Sequence, residues 1–303
     1  MNFEELKKYE PIYVIGHMNI DLDSAVSSKI LCEILNKFNI KSYYAVLDSK
    51  YDFDLTNKKM LDDCMNFNPV IINRKDVKKY NWFLVDHNDK LQSVGMDANV
   101  VGCIDHHPNS NQVKNAIISD ICSSALFIYN YFKDKYSFND EQKYQIFLAF
   151  LGDAGFGKSS KYKESDEVIA KSLGFNYDYN ELFKKYFTET DLSKGVKNSI
   201  YNGYKEYKFE NVTFGSGRIE VFGIDGLEEY KDLISKMDSF LGIWKDYENN
   251  NTYVYFKYDG KFKEYFYNYN ASRTSTILPN VLKYLKEEGY IYGERKRKLC
   301  WCV

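Results

Sequence analysis

All four histidines of the chain, His17, His87, His106 and His107, lie in three short acidic motifs. The motifs read GHMNIDLDS (Gly16 to Ser24), VDHND (Val85 to Asp89) and IDHHPN (Ile104 to Asn109). Each follows an apolar run with strand character. Imidazole and carboxylate delivered together from several strand ends make the donor set of a divalent-cation cluster. A lone histidine in an apolar sheet is more often a satisfied core residue, so the argument rests on all four together. His17 stands four residues before Asp21, and Asp23 two after it. A loop after a strand can bring the three to one side. His17 and Asp21 then bind one cation and Asp23 a neighbour. Asp86, at the next strand end, is central enough to bridge both. His106 binds the second cation, and Asp153, which closes the apolar run IFLAFLG, completes it. Taken alone, Asp153 reads as the polar end of a helix. Two cations about 3.5–4 Å apart, bridged by carboxylate and water, suit in-line attack on phosphorus, and the bridging water loses a proton near neutral pH. Mixed imidazole and carboxylate suit Mn²⁺, Co²⁺ or Zn²⁺ better than Mg²⁺ alone. On an extended strand end the rings of His106 and His107 point apart. His107 is therefore assigned to substrate, as a donor to a phosphoryl oxygen or leaving group.

The elements that position these motifs alternate strand and helix. Ile12 to Gly16 is a short apolar run, and SAVSSKILCEILNKF has helical spacing with Ser24 as its N-cap. Ser42 to Asp48 reads as a strand, NKKMLDDCM as a helix, and Trp82 to Asn88, Val100 to His107 and Asn115 to Asp120 as further strands. Such alternation predicts a parallel sheet with helices on both faces. Ligands gather beyond the carboxyl ends of its strands, where His17, Asp86 and His106 stand. From Ser123 to about Phe187 the pattern is helical. It restarts near Thr188 to Gly195, with a helix from Lys194 to about Tyr207. Strands VTFGSGRIEVFG and NTYVYFKYD follow, with the helix LEEYKDLISKMDSFL between them, then KEYFYNYN and SRTSTILPNVLKYLKEEG. The fold class is α/β: a parallel-sheet domain over 1–187, a linker at 188–195, and a smaller α+β domain with a mixed sheet over 196–303.

At 303 residues the chain is longer than one core usually supports. Its net charge of -2 gives no electrostatic footprint for duplex nucleic acid. No apolar run reaches membrane-span length, and the polar N-terminus MNFEELKKYEP lacks a signal-peptide core. The expectation is a cytoplasmic protein with reduced cysteines. Cys32, Cys103 and Cys122 lie in apolar stretches and read as core residues. Cys300 and Cys302 form a CxC pair after the basic run ERKRK.

The three motifs resemble those of the DHH phosphoesterase superfamily, whose Asp-His-His triplet stands here as Asp105, His106 and His107. ASRTSTILP (Ala271 to Pro279) resembles the Ser-Arg-Lys motif of the DHHA2 domain, and GSGRIEV (Gly215 to Val221) the strand before that domain's central helix. The resemblance narrows to family II, manganese-dependent inorganic pyrophosphatases and the exopolyphosphatase and prune-like group. It implies that His17, Asp21 and Asp86 hold one Mn²⁺ or Co²⁺, and Asp23, Asp86, His106 and Asp153 the other. Mg²⁺ accompanies the substrate. His107 contacts substrate, and Lys205 and Arg273 of the second domain bind its distal phosphates. It also implies a homodimer through the first domain.

Several residues depart from the pyrophosphatase pattern. Asn-Pro-Asp-Thr-Asp is replaced by Asn19-Ile20-Asp21-Leu22-Asp23, and the Asp-Leu-Asp-Ser string resembles the exopolyphosphatase and prune-like group. That group usually lacks the histidine retained here as His17. The lysine expected after Arg273 is Thr274, which removes a cationic partner for a compact anion. Lys158-Ser159 matches a lysine-serine pair of the pyrophosphatases. Its glycine-rich surroundings could contact phosphate, but they lack the strand-turn-helix context of a Walker loop. The sequence therefore predicts a metal-dependent phosphoanhydride hydrolase with pyrophosphate as leading substrate. The alternatives are an exopolyphosphatase, a hydrolase of short polyphosphate or nucleotide phosphates, and a low-activity metal-binding regulatory protein.

Overall fold

The computed structural model describes residues 3–48, 53, 55–159 and 161–291. Cys300 and Cys302 lie outside the described residues. The chain divides into two units. The first runs to Gly157 and includes Tyr162–Phe187; the second comprises Lys158–Lys161 and everything described from Thr188 onward.

The first unit opens with β1 (Ile12–Ile15), α1 (Leu22–Lys37), β2 (Ser42–Leu47), α2 (Leu55–Cys64) and β3 (Val70–Ile72). It continues with β4 (Asn81–Val85), β5 (Asn99–Asp105) and β6 (Ala116–Ile118), then α3 (Ser124–Phe132), α4 (Asp140–Asp153), α5 (Glu164–Lys171) and α6 (Tyr179–Tyr186). The sheet order is β3-β2-β1-β4-β5-β6, and every pairing is parallel. The chain winds outward from β1 to β3, then returns to build the other half from β4. The switch point lies between β1 and β4, where Ile15 pairs with Leu84. Crevices form at the carboxyl side of such switch points because the loops leave in opposite directions.

Alternate residues of each strand serve two cores. On one face α1 packs against β1, β2 and β4, with α3 and α4 against α1. Ala25, Val26, Ile30, Leu31, Ile34 and Leu35 make α1 apolar nearly all round and buried. A helix of that composition is stable only under a second layer. On the opposite face Ile15, Leu47, Trp82, Leu84 and Cys103 pack with Val77, Val94 and Ala98. Val77 belongs to a 3-10 turn, Arg74–Lys79. Among the described residues that core takes no α-helical side chain, so the expectation of helices on both faces is corrected: a turn and a loop cover the second face.

The second unit contains α7 (Val196–Ser199), β7 (Lys205–Phe209), β8 (Val212–Val221), α8 (Leu227–Ser235), β9 (Ser239–Asp246), β10 (Asn251–Tyr258), β11 (Lys261–Tyr267) and α9 (Leu278–Glu287). Its order is β11-β10-β9-β8-β7. β8 and β9 are parallel and the other pairs antiparallel, so the sheet is mixed. Tyr207, Phe214, Ile243 and Phe256 face Ile277, Val281 and Leu285; Ile219, Trp244 and Tyr255 face Val196, Tyr230 and Ile234. The helix expected over Lys194 to Tyr207 is instead the four-residue α7 followed by β7. β9 replaces the end of the reading that ran a helix to Leu241. A short π-helical turn, Arg273–Ile277, precedes α9. Among the described residues no helix is long and apolar enough to cross a membrane.

Candidate metal centre

The loop after β1 carries His17 into α1. The N-cap of α1 is Asp21, whose carboxylate accepts from Ser24 N at 2.9 Å. Ser24 is therefore not the cap the sequence suggested. Its hydroxyl instead donates to Asp86 Oδ2 at 2.8 Å. Asp23 lies in the first turn of α1, fully enclosed, and reaches a second helix: Ser124 N (2.6 Å) and Ala125 N (2.9 Å) donate to its two oxygens, and Ser123 Oγ (2.8 Å) joins them. One carboxylate thus sits at the amino ends of α1 and α3, where backbone N–H groups favour negative charge.

Asp86 follows β4 with φ of 60°. A non-glycine residue in the left-handed region costs free energy. Here that conformation sets the carboxylate between two histidines. Asp86 Oδ2 is 3.3 Å from His17 Nε2, and Oδ1 is 3.2 Å from His106 Nε2. Asp21 Oδ2 lies 3.4 Å from His17 Nε2, and Asp153 Oδ2 lies 3.3 Å from His106 Nε2. Each group—His17, Asp21, Asp86 on one side and Asp23, Asp86, His106, Asp153 on the other—has a set of ligand atoms lying within 4.8 Å of one another. His106 Nδ1 faces the carbonyl of Ile121 at 3.2 Å, which leaves Nε2 to the carboxylates.

Asp153 ends α4, where the helix dipole disfavours a carboxylate. The chain then turns through Gly155, Phe156 and Gly157, with φ of 53°, 53° and 78°. The string Gly152 to Ser159 has the spacing GxxxxGKS, but it begins inside α4 rather than after a strand. It is not a Walker loop. Lys158 packs with the second unit, its ammonium 5.9 Å from the Tyr247 ring.

The electrostatics are those of a cluster overloaded with carboxylates. Burial lowers the pKa of His17, but Asp21 and Asp86 overrule it and raise it to about 10. Burial and the neighbouring Asp86, Asp153 and Asp21 push Asp23 well above the usual carboxylate range. Four aspartates and two imidazoles converge, with Asp23 and Asp86 buried and His17, Asp21 and Asp153 partly exposed. Divalent cations would supply the missing positive charge, and the mixed N and O donor set fits a metal such as Mn²⁺.

His107 Nδ1 is held by Asp105 Oδ1 at 2.9 Å and lies 3.8 Å from Asp86 Oδ1. Asp105 accepts also from the backbone of His106 (2.7 Å) and His107 (3.1 Å) and from the Asn88 amide. Despite burial, the His107 imidazole holds the Asp105 carboxyl down at about 2. Reading spacing alone assigns no role to Asp105, Asn88, Ser123 or Ser124. Their one sequence signal is adjacency to the motifs and to the start of α3. His87 does not join the cluster. Its Nδ1 meets Val85 O at 2.8 Å and its Nε2 meets Ser93 Oγ at 2.6 Å. Burial, aided by His17, depresses it to about 4, so it is a neutral core histidine.

Lys205 and Arg273 belong to the second unit. Lys205 begins β7. Arg273 begins the π-helical turn, is 8% exposed, and donates from Nη1 to Gly203 O at 2.8 Å.

Residues 11–151 match the family described as "DHH family, N-terminal domain". The chain is 26% identical over 245 residues to a manganese-dependent inorganic pyrophosphatase of Methanothrix thermoacetophila, covering 74% of each protein. It is 24% identical over 245 residues to the manganese-dependent inorganic pyrophosphatase of Methanocaldococcus jannaschii, covering 74% of this chain and 76% of that one. The fold is that of a crystal structure from Methanococcus jannaschii described as a candidate family II inorganic pyrophosphatase: TM-score 0.71, 21% identity, 90% of this chain and 98% of that one. An exopolyphosphatase-related protein from Bacteroides fragilis aligns with TM-score 0.51 and 13% identity over 94% and 96% of the two chains. Residues 11–151 thus match a DHH-family N-terminal domain, and the chain as a whole is similar to manganese-dependent inorganic pyrophosphatases.

Proposed function

We propose that this chain is a divalent-cation-dependent phosphoanhydride hydrolase whose substrate is inorganic pyrophosphate. The observation that carries the reading is Asp86, which presents one oxygen to the His17 and Asp21 group and the other to the His106 and Asp153 group. His17, Asp21 and Asp86 hold one cation, and Asp23, Asp86, His106 and Asp153 a second, Mn²⁺ or Co²⁺ by donor chemistry. When bound, such a pair polarises phosphoryl oxygens and makes water acidic enough to attack at neutral pH. The protein orients the rest. Ser24 and Ser124 hold Asp86 by hydroxyl hydrogen bonds at 2.8 and 3.2 Å. Asp105 accepts from Nδ1 and fixes the His107 ring, so that Nε2 of the protonated imidazolium faces outward as donor to a phosphoryl oxygen or leaving group. Lys205 and Arg273 act as cationic ligands of the substrate phosphates. The names of the curated relatives support this reading.

A second reading is favoured by two features. The Asp21-Leu22-Asp23-Ser24 string carries leucine where the pyrophosphatase pattern has threonine, and Thr274 is an exposed neutral residue where a lysine is expected. These suit an enzyme of longer polyphosphate. Phosphate release with Mn²⁺ from pyrophosphate, tripolyphosphate and long-chain polyphosphate at equal concentration separates the two. Fast release from pyrophosphate alone supports the first. Preference for longer chains supports the second, and no release from any of them defeats both.

A further inference from the structure

The side chains of β7, β8 and β9 that point to the α9 face of the second sheet include an ordered set of cations. Lys205 pairs in register with Ser216, and Glu220 with Lys245. Because side chains alternate along a strand, Lys205, Ser216, Arg218, Glu220 and Lys245 share the face of Tyr207 and Ile243. Arg218 Nη2 lies 2.9 Å from Glu220 Oε2, and Lys245 Nζ lies 3.8 Å from Glu220 Oε1. Tyr247 OH donates to the same Oε1 at 2.9 Å. Arg273 lies within electrostatic reach of Glu220, Lys245 and Arg218. One carboxylate, Glu220, thus serves Arg218 and Lys245 directly, with Arg273 close by. The Lys245 side chain is only 12% exposed. Burial first, then Arg218 and Arg273, pull its pKa down to about 8 against the opposing pull of Glu220.

A cluster of buried cations is a favourable place for an anion. A second observation points to that anion. Ser216 is fully buried on this face, and among the described residues its hydroxyl has no hydrogen-bond partner. A buried donor of this kind is expensive unless a ligand engages it.

We propose that Ser216, Arg218 and Lys245, together with Lys205 and Arg273, form a phosphate-binding surface for the terminal phosphate of an inorganic phosphoanhydride, with Arg218 and Lys245 supplying the charge that Thr274 does not. The proposal rests on the hydrolase reading above. It makes Arg218 and Lys245 specificity determinants, and it explains how a neutral residue at 274 is tolerated. The arginine supplies a planar fork for two phosphate oxygens, and the lysine a point charge.

The test is binding of imidodiphosphate, a non-hydrolysable diphosphate, to the full-length Mn²⁺-loaded protein by titration calorimetry, beside steady-state hydrolysis of pyrophosphate. Arg218→Met and Lys245→Met each weaken imidodiphosphate by about tenfold, the loss expected for a charge-assisted hydrogen bond. Each raises KM more than it lowers kcat. Lys245→Arg restores most of the affinity. Ser216→Ala breaks no hydrogen bond within the protein, so it weakens binding while leaving the melting temperature unchanged or higher. It carries the test should the methionine variants fold poorly. Lys231→Met, on α8 and paired with Glu264, is the neutral control. Folded variants that bind imidodiphosphate like the wild type overturn the proposal, as does a Ser216→Ala protein with unchanged affinity. If those variants keep their KM while the wild type hydrolyses pyrophosphate, this surface falls and the hydrolase reading stands. If the wild type binds imidodiphosphate through these residues but releases no phosphate from any phosphoanhydride, the surface stands and the hydrolase reading falls.

Discussion

Gly16 offers the sharpest test of how the candidate centre is supported, because a methyl group there strikes the residue that steadies Asp86. A Cβ built on Gly16 stands 2.7 Å from Ser24 Cβ, 2.9 Å from Ser24 Oγ and 3.2 Å from the Ser24 carbonyl. Carbon atoms at rest are about 3.5–4.0 Å apart, so Gly16→Ala requires movement of roughly 1 Å. Ser24 lies in the first turn of the buried helix α1, so neither partner can move without disturbing the core. Overpacking of this kind costs about 1–3 kcal/mol. If Ser24 rotates away, its hydrogen bond to the Asp86 carboxylate is lost too, worth about 1.5–3 kcal/mol for a charged partner. A net loss of about 2 kcal/mol lowers the melting temperature by roughly 4–8 °C for a unit of this size. Thermal unfolding in EDTA reads that shift, and pyrophosphate hydrolysis with Mn²⁺ reads the disturbance of Asp86. Ser24→Gly removes the two colliding side-chain atoms and leaves only the carbonyl contact at 3.2 Å. The double variant should therefore be less destabilised than the sum of the singles, with a coupling of about 1 kcal/mol. A Gly16→Ala protein with wild-type melting and wild-type phosphate release would refute this account. Strict additivity in the double variant would refute it as well.

Other expectations follow from the same geometry. Asp86→Ala abolishes phosphate release and the rise in melting temperature on adding Mn²⁺, because both ligand groups lose a member; full activity would defeat the shared-carboxylate reading. Asp105→Asn leaves Mn²⁺ stabilisation nearly intact but lowers kcat by about 10–100-fold, the usual cost of losing an orienting partner; unchanged kcat would show that His107 needs no such hold. Thr274→Lys changes the KM for pyrophosphate little, since Arg218 and Lys245 already supply charge; a large fall in KM would count against them. Lys245, facing Glu220, Arg218, Arg273 and the Tyr247 hydroxyl that donates to Glu220, is a cation below about 8 and neutral above it. Its contribution to kcat/KM is therefore present at lower pH and lost as pH rises through 8, and Lys245→Arg should flatten that limb; an unaltered profile would exclude Lys245 from substrate binding.

Much of the first unit is legible from sequence because its signals are local. β1, β4 and β5 are apolar runs that end at the chemistry-bearing residues, and topology carries their carboxyl ends together. The approach of His17, Asp86 and His106 follows from that topology, while Asp23 and Asp153 are brought in by α1 and α4. What spacing hides is the direction of each side chain. His87 adjoins Asp86, yet the left-handed turn at Asp86 sends the two residues to different surroundings. Asp21 rather than Ser24 caps α1 because both residue types can cap and only geometry chooses. β3 is three residues long and shows no period. From sequence α7 and β7 read as one helix, because VKNSIYNGYKEY is polar enough to suit either. The Glu220 and Lys245 pairing is set wholly by β8–β9 register, which no spacing rule within one strand reports.

The hydrogen bonds that anchor Asp23 span 100 to 102 residues of sequence. The candidate ligands likewise come from four separate stretches between His17 and Asp153. An unfolded chain cannot gather them, since closing such loops costs entropy that no single ligand repays. Cations should therefore recognise only the assembled sheet and its helices. By mass action, a cation at a hundred times its dissociation constant adds about 2.7 kcal/mol to the free energy of unfolding. Metal supply would then set how firmly the first unit stays folded as well as its activity. Chelation lowers the barrier against proteolysis before any side chain is altered.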